Sequence, residues 1–159
     1  MNLTAQQIAT LKAVIAADPT AAALAAVADD VGIANWLNTA TTFVVWRTQV
    51  GKDELRQAVL QGASDLDNLS QGKRDALLWV CGDVINPAYA GVHQALGDLT
   101  IKSGGAGSTL LRTPLDAVIR RAATRLEKAL ATGTGTTATP GFLTVEGLAS
   151  YADASVIRS

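Results

Sequence analysis

The stretch TPLDAVIRRAATRLEKALA, residues 113–131, carries the clearest fold signal in the sequence. Thr113 followed by Pro114 is typical of a helix start, and Gly133 lies where a C-terminal glycine cap belongs. The apolar residues recur at helical spacing and form one face: Leu115, Val118, Ile119, Ala122, Leu126, Ala129 and Leu130. The stretch therefore predicts one long amphipathic helix that ends near residue 131.

Shorter helical patterns precede this stretch. They predict helices over residues 4–18, 20–28, 31–37, 51–61, 71–81 and 87–99, and Thr4 with Gln7 has capping-box spacing at the first of them. TFVVWR, residues 42–47, has the β-branched and aromatic content of a strand. Because no second strand is evident, we expect extended chain or a helical turn that packs Phe43 and Trp46 into the core. Residues 1–131 are thus predicted to form a helical bundle.

Composition agrees with a mainly α, globular protein. The chain has 159 residues, of which 48% are apolar and 17% charged, so it fits one domain with a single core. A formal net charge of −1 gives no general attraction to nucleic acid or to an anionic membrane. The apolar run at residues 21–28 is too short to span a bilayer, and no secretory signal pattern opens the chain, so we expect an intracellularly made protein with no membrane partner.

The C-terminal segment, residues 132–159, has a different character. It begins with a low-complexity strap, TGTGTTATPG at residues 132–141, which we expect to be flexible. An arm follows, in which Ser150 and Asp153 predict a cap before a last helical turn. Disordered tails are poor in apolar residues, but this arm contains Phe142, Leu143, Val145, Leu148, Tyr151, Val156 and Ile157. We therefore expect an extended docking arm that packs on its own body or on a neighbour.

No residue pattern predicts catalysis. Cys81 lies among apolar residues and His93 is the only histidine, so neither a catalytic pair nor a zinc site with enough ligands is indicated. The Gly-rich GGAGST, residues 104–109, lacks the lysine of a phosphate-binding loop and is expected to be a flexible connection. The paired carboxylates fit caps and turns. We expect no enzyme activity, no metal and no cofactor.

Charge is concentrated close to the predicted long helix. Five basic and two acidic residues lie between positions 112 and 128. Arg121, Arg125 and Lys128 are spaced to form one stripe on the face away from the core, and Arg112 precedes them. Such a stripe is either a solvated helix face or a surface that docks on acidic protein or on passing DNA.

Four segments together resemble a family of viral proteins. TAQQIATLKAVIAADP, FVVWRTQV followed by KDELRQAV, RRAATRLEKALATGTGT and PGFLTVEGLASYADAS resemble, in order and spacing, the small virion proteins of tailed bacteriophages. Within that group the chain is most similar to the head–tail connectors, also called adaptors or neck proteins.

The resemblance implies a structural role without chemistry. It implies a homo-oligomeric ring, twelvefold in such adaptors, that binds beneath the portal protein, extends the DNA channel and offers a surface to the tail or to the next neck protein. The arm would reach along the portal, and the basic stripe would face either the portal or the DNA that passes. The expected location is the neck of a virion whose proteins are made in the bacterial cytoplasm. Two alternatives stay open: a capsid cement protein that uses the same arm, and a DNA-binding regulatory protein outside the virion.

Overall fold

The computed structural model describes residues 1–159, and it divides them into two compact units. Unit 1 contains residues 1–45 and 122–159, and unit 2 contains residues 46–121. The predicted mainly α fold is confirmed, since nine α-helices and one 3₁₀ helix accompany a single two-stranded sheet.

The elements follow one another along the chain as α1 Ala5–Ala17, α2 Pro19–Ala26, α3 Asp30–Leu37, β1 Ala40–Trp46, α4 Lys52–Gln61, a 3₁₀ helix Ala63–Asn68, α5 Gln71–Val80, α6 Ala90–Leu99, α7 Thr109–Ile119, β2 Arg120–Thr124, α8 Arg125–Leu130 and α9 Tyr151–Arg158. None of these helices alone combines the length and the apolar content of a membrane-crossing helix. Only α1 and α2 taken together reach that threshold, and the chain bends by 105° between them.

Unit 1 begins with the predicted capping signals. Thr4 and Gln7 form a capping box at the start of α1. Asp18 then ends α1 and caps α2, because its carboxylate accepts hydrogen bonds from the backbone N–H groups of Thr20 and Ala21. The core of this unit draws on both ends of the chain and includes Leu11, Ile15, Ile33, Leu37, Leu126, Leu130, Ala154 and Ile157.

Unit 2 has its own core between α4, α5, α6 and α7. Its fully buried side chains include Leu55, Leu77, Leu96, Leu111, Leu115 and Ile119. Gly62 lets the backbone that follows α4 pass close to α7, since a Cβ at this position would come within 2.5 Å of the Leu110 carbonyl oxygen. Pro114, four residues further along α7, has no N–H to donate to that carbonyl.

The prediction of one long helix over residues 113–131 is wrong, because a strand, β2, separates two helices there. The helix α7 begins earlier than Thr113, because the Ser108 hydroxyl accepts a hydrogen bond from Leu111 N–H at 3.1 Å and caps it, which leaves Pro114 inside the helix. The backbone then becomes extended over β2. Thr124 and Glu127 form a capping box that starts the separate helix α8. The two apolar runs of the stretch therefore enter two different cores.

The segment TFVVWR is a strand, contrary to expectation. Its partner is β2, which comes from the middle of the predicted long helix. The Thr41 hydroxyl donates to the carbonyl of Ala123 at 2.9 Å, and Arg47 N–H donates to the carbonyl of Ile119 at 3.0 Å. Trp46 is buried as expected, whereas Phe43 is only half-buried.

The compact units do not follow the predicted division into a body of residues 1–131 and an arm of residues 132–159. The C-terminal segment belongs to unit 1, because Ala149, Ala154 and Ile157 pack in its core. Of the two options that the sequence left open, the structure therefore shows the segment packed on its own chain. That it also docks on a neighbour stays a prediction.

Candidate interaction surfaces

The strap lies against β1 and is not free of the body in this structure. Val44 N–H donates to the carbonyl of Gly135 at 2.7 Å, and Gly141 N–H donates to the carbonyl of Val44 at 2.8 Å. Gly135 has a φ of +65°, and a Cβ on it would overlap the ring of Phe43. The glycines of this low-complexity sequence thus let the backbone reach both the strand and the aromatic ring.

Polar contacts hold α9 on unit 1. The Arg158 guanidinium donates to the Asp30 carboxylate of α3 with an Nε–Oδ1 distance of 2.7 Å, and this hydrogen bond lowers the pKa of Asp30. The Asn38 side chain donates to the Ala149 carbonyl at 2.9 Å and accepts from its N–H at 2.8 Å. The orientation of α9 is therefore fixed both before its first residue and at its last.

Asp153 stabilises the first turn of α9. Its carboxylate accepts hydrogen bonds from the backbone N–H and the hydroxyl of Ser150, which confirms the predicted cap, and from the N-terminal ammonium of Met1 at 2.7 Å. Burial alone raises the pKa of this carboxyl, but the hydrogen bonds from Met1 and Ser150 outweigh it and lower the pKa from 3.8 to about 2.

The substitution Asp153→Asn is expected to destabilise the protein most at neutral pH and progressively less as the pH falls to 2 and below. Since the folded pKa is depressed, the carboxylate stabilises the fold above the ordinary pKa of 3.8, and that contribution is lost as the pH falls through about 2. Thermal unfolding of both proteins at a series of pH values measures the difference in Tm. A difference that stays constant down to pH 2 would contradict the assignment.

The outward face of the C-terminal segment carries several of the predicted arm residues. Leu148 is 68% exposed, Tyr151 69% and Val156 55%, and Phe142 is also exposed. Leu143 and Val145 are half-buried, while Ile157 lies in the core of unit 1 and is not part of the outward face. We call Leu148, Tyr151 and Val156 the arm face.

The predicted basic stripe does not exist as one helix face. Arg112 lies on α7, where its Nε is 2.9 Å from the Asp116 carboxylate, and Arg121 lies on β2. Only Arg125 and Lys128 share a helix, α8. The i, i+4, i+7 spacing fails because the chain is extended up to residue 124.

Arg125 and Lys128 line a pocket of about 430 Å³ on unit 1. The Arg125 guanidinium lies over the Trp36 ring, with Cζ 4.5 Å from the ring centroid, and the structure shows no ion pair for either cation. The indole Nε1 of Trp36 is buried without a hydrogen-bond partner. Asp18 is the acidic residue of the lining, but its carboxylate accepts the N–H groups that start α2. The remaining lining residues are Val14, Ala17, Pro19, Thr41 and Ala129.

A second exposed apolar region lies on unit 2 and was not predicted from the sequence. We call residues 78–89, from the end of α5 to the start of α6, the 78–89 loop. Trp79 is 81% exposed, and Leu78, Val84 and Tyr89 are exposed as well. Helical spacing could have found it, because Leu77 and Cys81 are four residues apart on the buried face and Trp79 lies midway between them, on the opposite side.

Cys81, His93 and the Gly-rich connection lie in structural environments. Burial raises the pKa of the Cys81 thiol to about 11, against a weaker lowering by Arg56, so the thiolate is disfavoured at neutral pH. His93 stacks on Trp46 with ring centroids 4.3 Å apart. In the Gly-rich connection, Gly105 and Ser108 donate their N–H groups to backbone carbonyls.

No group of three or more His, Cys, Asp or Glu side chains is placed to hold a metal ion. Features suited to recognition include the arm face, the pocket and the 78–89 loop. Comparison with family models, with curated proteins and with solved structures finds no match for this chain.

Proposed function

We propose that this chain is a structural protein of a tailed bacteriophage particle, a head–tail adaptor that forms a ring beneath the portal. In this role it extends the DNA channel through which the genome passes and presents a surface to the tail or to the next neck protein. The proposal starts from the resemblance in the sequence, and the arm face is the observation that supports it best.

The arm face is suited to docking because it is apolar, outward and rigidly held. Leu148, Tyr151 and Val156 expose more than half of their surface, although the residues between them pack into unit 1. Large apolar side chains that a folded surface leaves exposed are candidates for contacts with a protein partner. Since the contacts of Arg158 and Asn38 fix α9, docking would cost little conformational entropy.

In a ring, a surface as small as the arm face is sufficient for stable binding to the portal. Three apolar side chains support only a weak contact between single proteins. In a ring bound to a symmetric portal, every subunit repeats the same contact, and each contact raises the effective concentration of the next. A capsid cement protein could use the same arm face, but its copy number in the particle would follow the capsid shell and not the portal.

The double substitution Tyr151→Asp with Val156→Asp is expected to reduce binding to the purified portal protein of the same phage by roughly tenfold or more, because each aspartate would be desolvated in the contact. The fold should be unchanged, since both side chains are exposed. Binding is measured by surface plasmon resonance, and far-UV circular dichroism checks the fold.

The matched control is the double substitution Val27→Asp with Val31→Asp, which places the same two charges on other highly exposed residues of unit 1. It should bind the portal like the wild-type protein. Equal binding by the Tyr151 and Val156 variant and the control would contradict a role for the arm face in portal docking.

A further inference from the structure

The pocket of unit 1 and the 78–89 loop of unit 2 are complementary in charge and in polarity. The pocket has two cations without ion pairs and a mainly apolar lining. The loop has one carboxylate, that of Asp83, next to the exposed apolar residues Val84 and Trp79. The pocket therefore has cations that lack an anionic partner, and the loop has a carboxylate that lacks a cationic partner.

We propose that the 78–89 loop of one copy of this chain docks into the pocket of unit 1 of the next copy, with the Asp83 carboxylate paired to Arg125 and Lys128. The inference rests on the proposed ring, for which it names the contact between subunits. The arm face would then be left for the portal.

The lining of the pocket favours an occupant that is anionic and partly apolar. Two neighbouring cations without a carboxylate partner favour an oxygen acid, and Arg125 is already oriented by the Trp36 ring. The buried indole N–H of Trp36 has no acceptor, which is uncommon for a buried donor. An aspartate that is followed by a valine would offer carboxylate oxygens to the polar groups of this lining. The valine side chain would offer an apolar surface to Val14 and Ala129.

Asp83 is available for such a contact. Its carboxylate accepts a hydrogen bond from Val84 N–H at 2.7 Å, which orients the side chain, and the structure shows no ion pair for it. The residue lies in the connection between α5 and α6, where Trp79 and Tyr89 are among the most exposed apolar residues of unit 2. Docking would thus cover these side chains as well as pair the charge.

In a ring the contact is heterologous, because the loop of each copy meets the pocket of a different neighbour. One copy offers its loop to the next and its pocket to the previous one, and this head-to-tail pattern closes into a ring when the rotation between copies allows it. A two-fold dimer, in which each copy places its loop in the pocket of the other, would use the same pairing. Sedimentation that stops at the size of a dimer would therefore overturn the head-to-tail arrangement.

Charge-swapped variants test the contact directly. We expect Asp83→Arg and Lys128→Asp each to weaken self-association by roughly tenfold or more, since each places like charges opposite one another. An equimolar mixture of the two variants should associate again, because in an alternating order the side chains at positions 83 and 128 of each contact carry opposite charges. The matched control Asp98→Arg reverses another exposed aspartate of unit 2 and should behave like the wild-type protein. Sedimentation velocity over a range of concentrations compares these four samples with the wild-type protein.

The three tryptophans supply a second readout. On raising the concentration of the wild-type protein, the indole N–H signals of Trp36 and Trp79 should shift in ¹⁵N–¹H spectra, and the signal of the buried Trp46 should stay in place. Substitution of each tryptophan by phenylalanine assigns the signals. A shift of the Trp36 signal on addition of a short DNA oligonucleotide, without any on self-association, would assign the pocket to phosphate and overturn the proposal.

The proposal is also overturned if the wild-type protein stays monomeric with unmoved indole signals, or if the single charge reversals associate as it does. Either result would leave portal docking by the arm face to be judged on the binding of the Tyr151 and Val156 variant. Failure of the subunit contact and failure of the proposed function are therefore separate outcomes.

Discussion

Replacing Gly135 by alanine is expected to detach the strap from β1 and to destabilise unit 1. The residue adopts a φ of +65°, which costs about 1 kcal/mol for a residue with a Cβ. The added methyl group would also overlap the Phe43 ring, so either the ring or the strap must move. Moving the strap breaks the hydrogen bonds that Val44 forms with Gly135 and Gly141. We expect the free energy of unfolding to fall by about 2 kcal/mol or more.

Limited proteolysis and chemical denaturation together measure this effect. Cleavage within residues 132–141 should become faster in the Gly135→Ala protein, because local opening of the strap exposes its backbone. The matched control is Gly104→Ala, at a glycine that has a negative φ and no heavy atom within 4 Å of an added Cβ. This control should be nearly as stable as the wild-type protein.

A double-mutant cycle separates the steric cause from the backbone cause. In a Phe43→Ala background the added methyl group no longer overlaps a ring. Gly135→Ala should then lower the free energy of unfolding only by the cost of a positive φ. Equal losses in both backgrounds would show that the Phe43 ring does not constrain the strap.

The substitution Glu127→Ala is expected to reduce the free energy of unfolding by about 2 kcal/mol, because it empties a buried site and leaves two partly buried N–H groups without their acceptor. Glu127 is only 2% exposed, and its carboxylate accepts from Thr124 N–H at 3.0 Å and from Gly147 N–H at 3.2 Å. One side chain thus starts α8 and holds the segment that leads to the arm face. Urea denaturation monitored by circular dichroism measures the loss.

The neighbouring substitution Lys128→Ala is the matched control, since the lysine is exposed on the same helix and alanine favours helix formation. Its stability should change by no more than about 0.5 kcal/mol. A loss for Glu127→Ala as small as that would contradict a structural role for the buried carboxylate.

The sequence predicted helix content well and helix limits less well, and residues 113–131 show the reason. The apolar spacing is correct inside α7 and inside α8, so Leu115, Ile119, Leu126 and Leu130 are all buried. The same spacing also fits one continuous helix and therefore conceals the extended residues between them. The Thr124 and Glu127 pair is a local capping-box signal for the second start, within an apolar spacing that also fits an uninterrupted helix.

Contacts between distant residues explain the remaining differences. Gly135 packs against the Phe43 ring, and the Asn38 side chain donates a hydrogen bond to the Ala149 carbonyl. These residues are far apart in the sequence, so no local pattern predicts the pairs. The low-complexity composition of the strap predicted flexibility. Composition alone does not show that Gly135 and Gly141 pack against the Phe43 ring. For the candidate surfaces, apolar composition identified Leu148, Tyr151 and Val156, but charge spacing alone could not show that Arg125 and Lys128 line a pocket beside Trp36.

The central claim is that this chain is a ring-forming adaptor of a bacteriophage neck, and its copy number in the particle tests that claim most directly. Quantitative mass spectrometry of purified virions of the phage that encodes the chain measures the ratio of this protein to the portal protein. The account predicts one copy for each portal subunit. Hundreds of copies would indicate a capsid cement protein, and absence from the particle would contradict a virion role altogether.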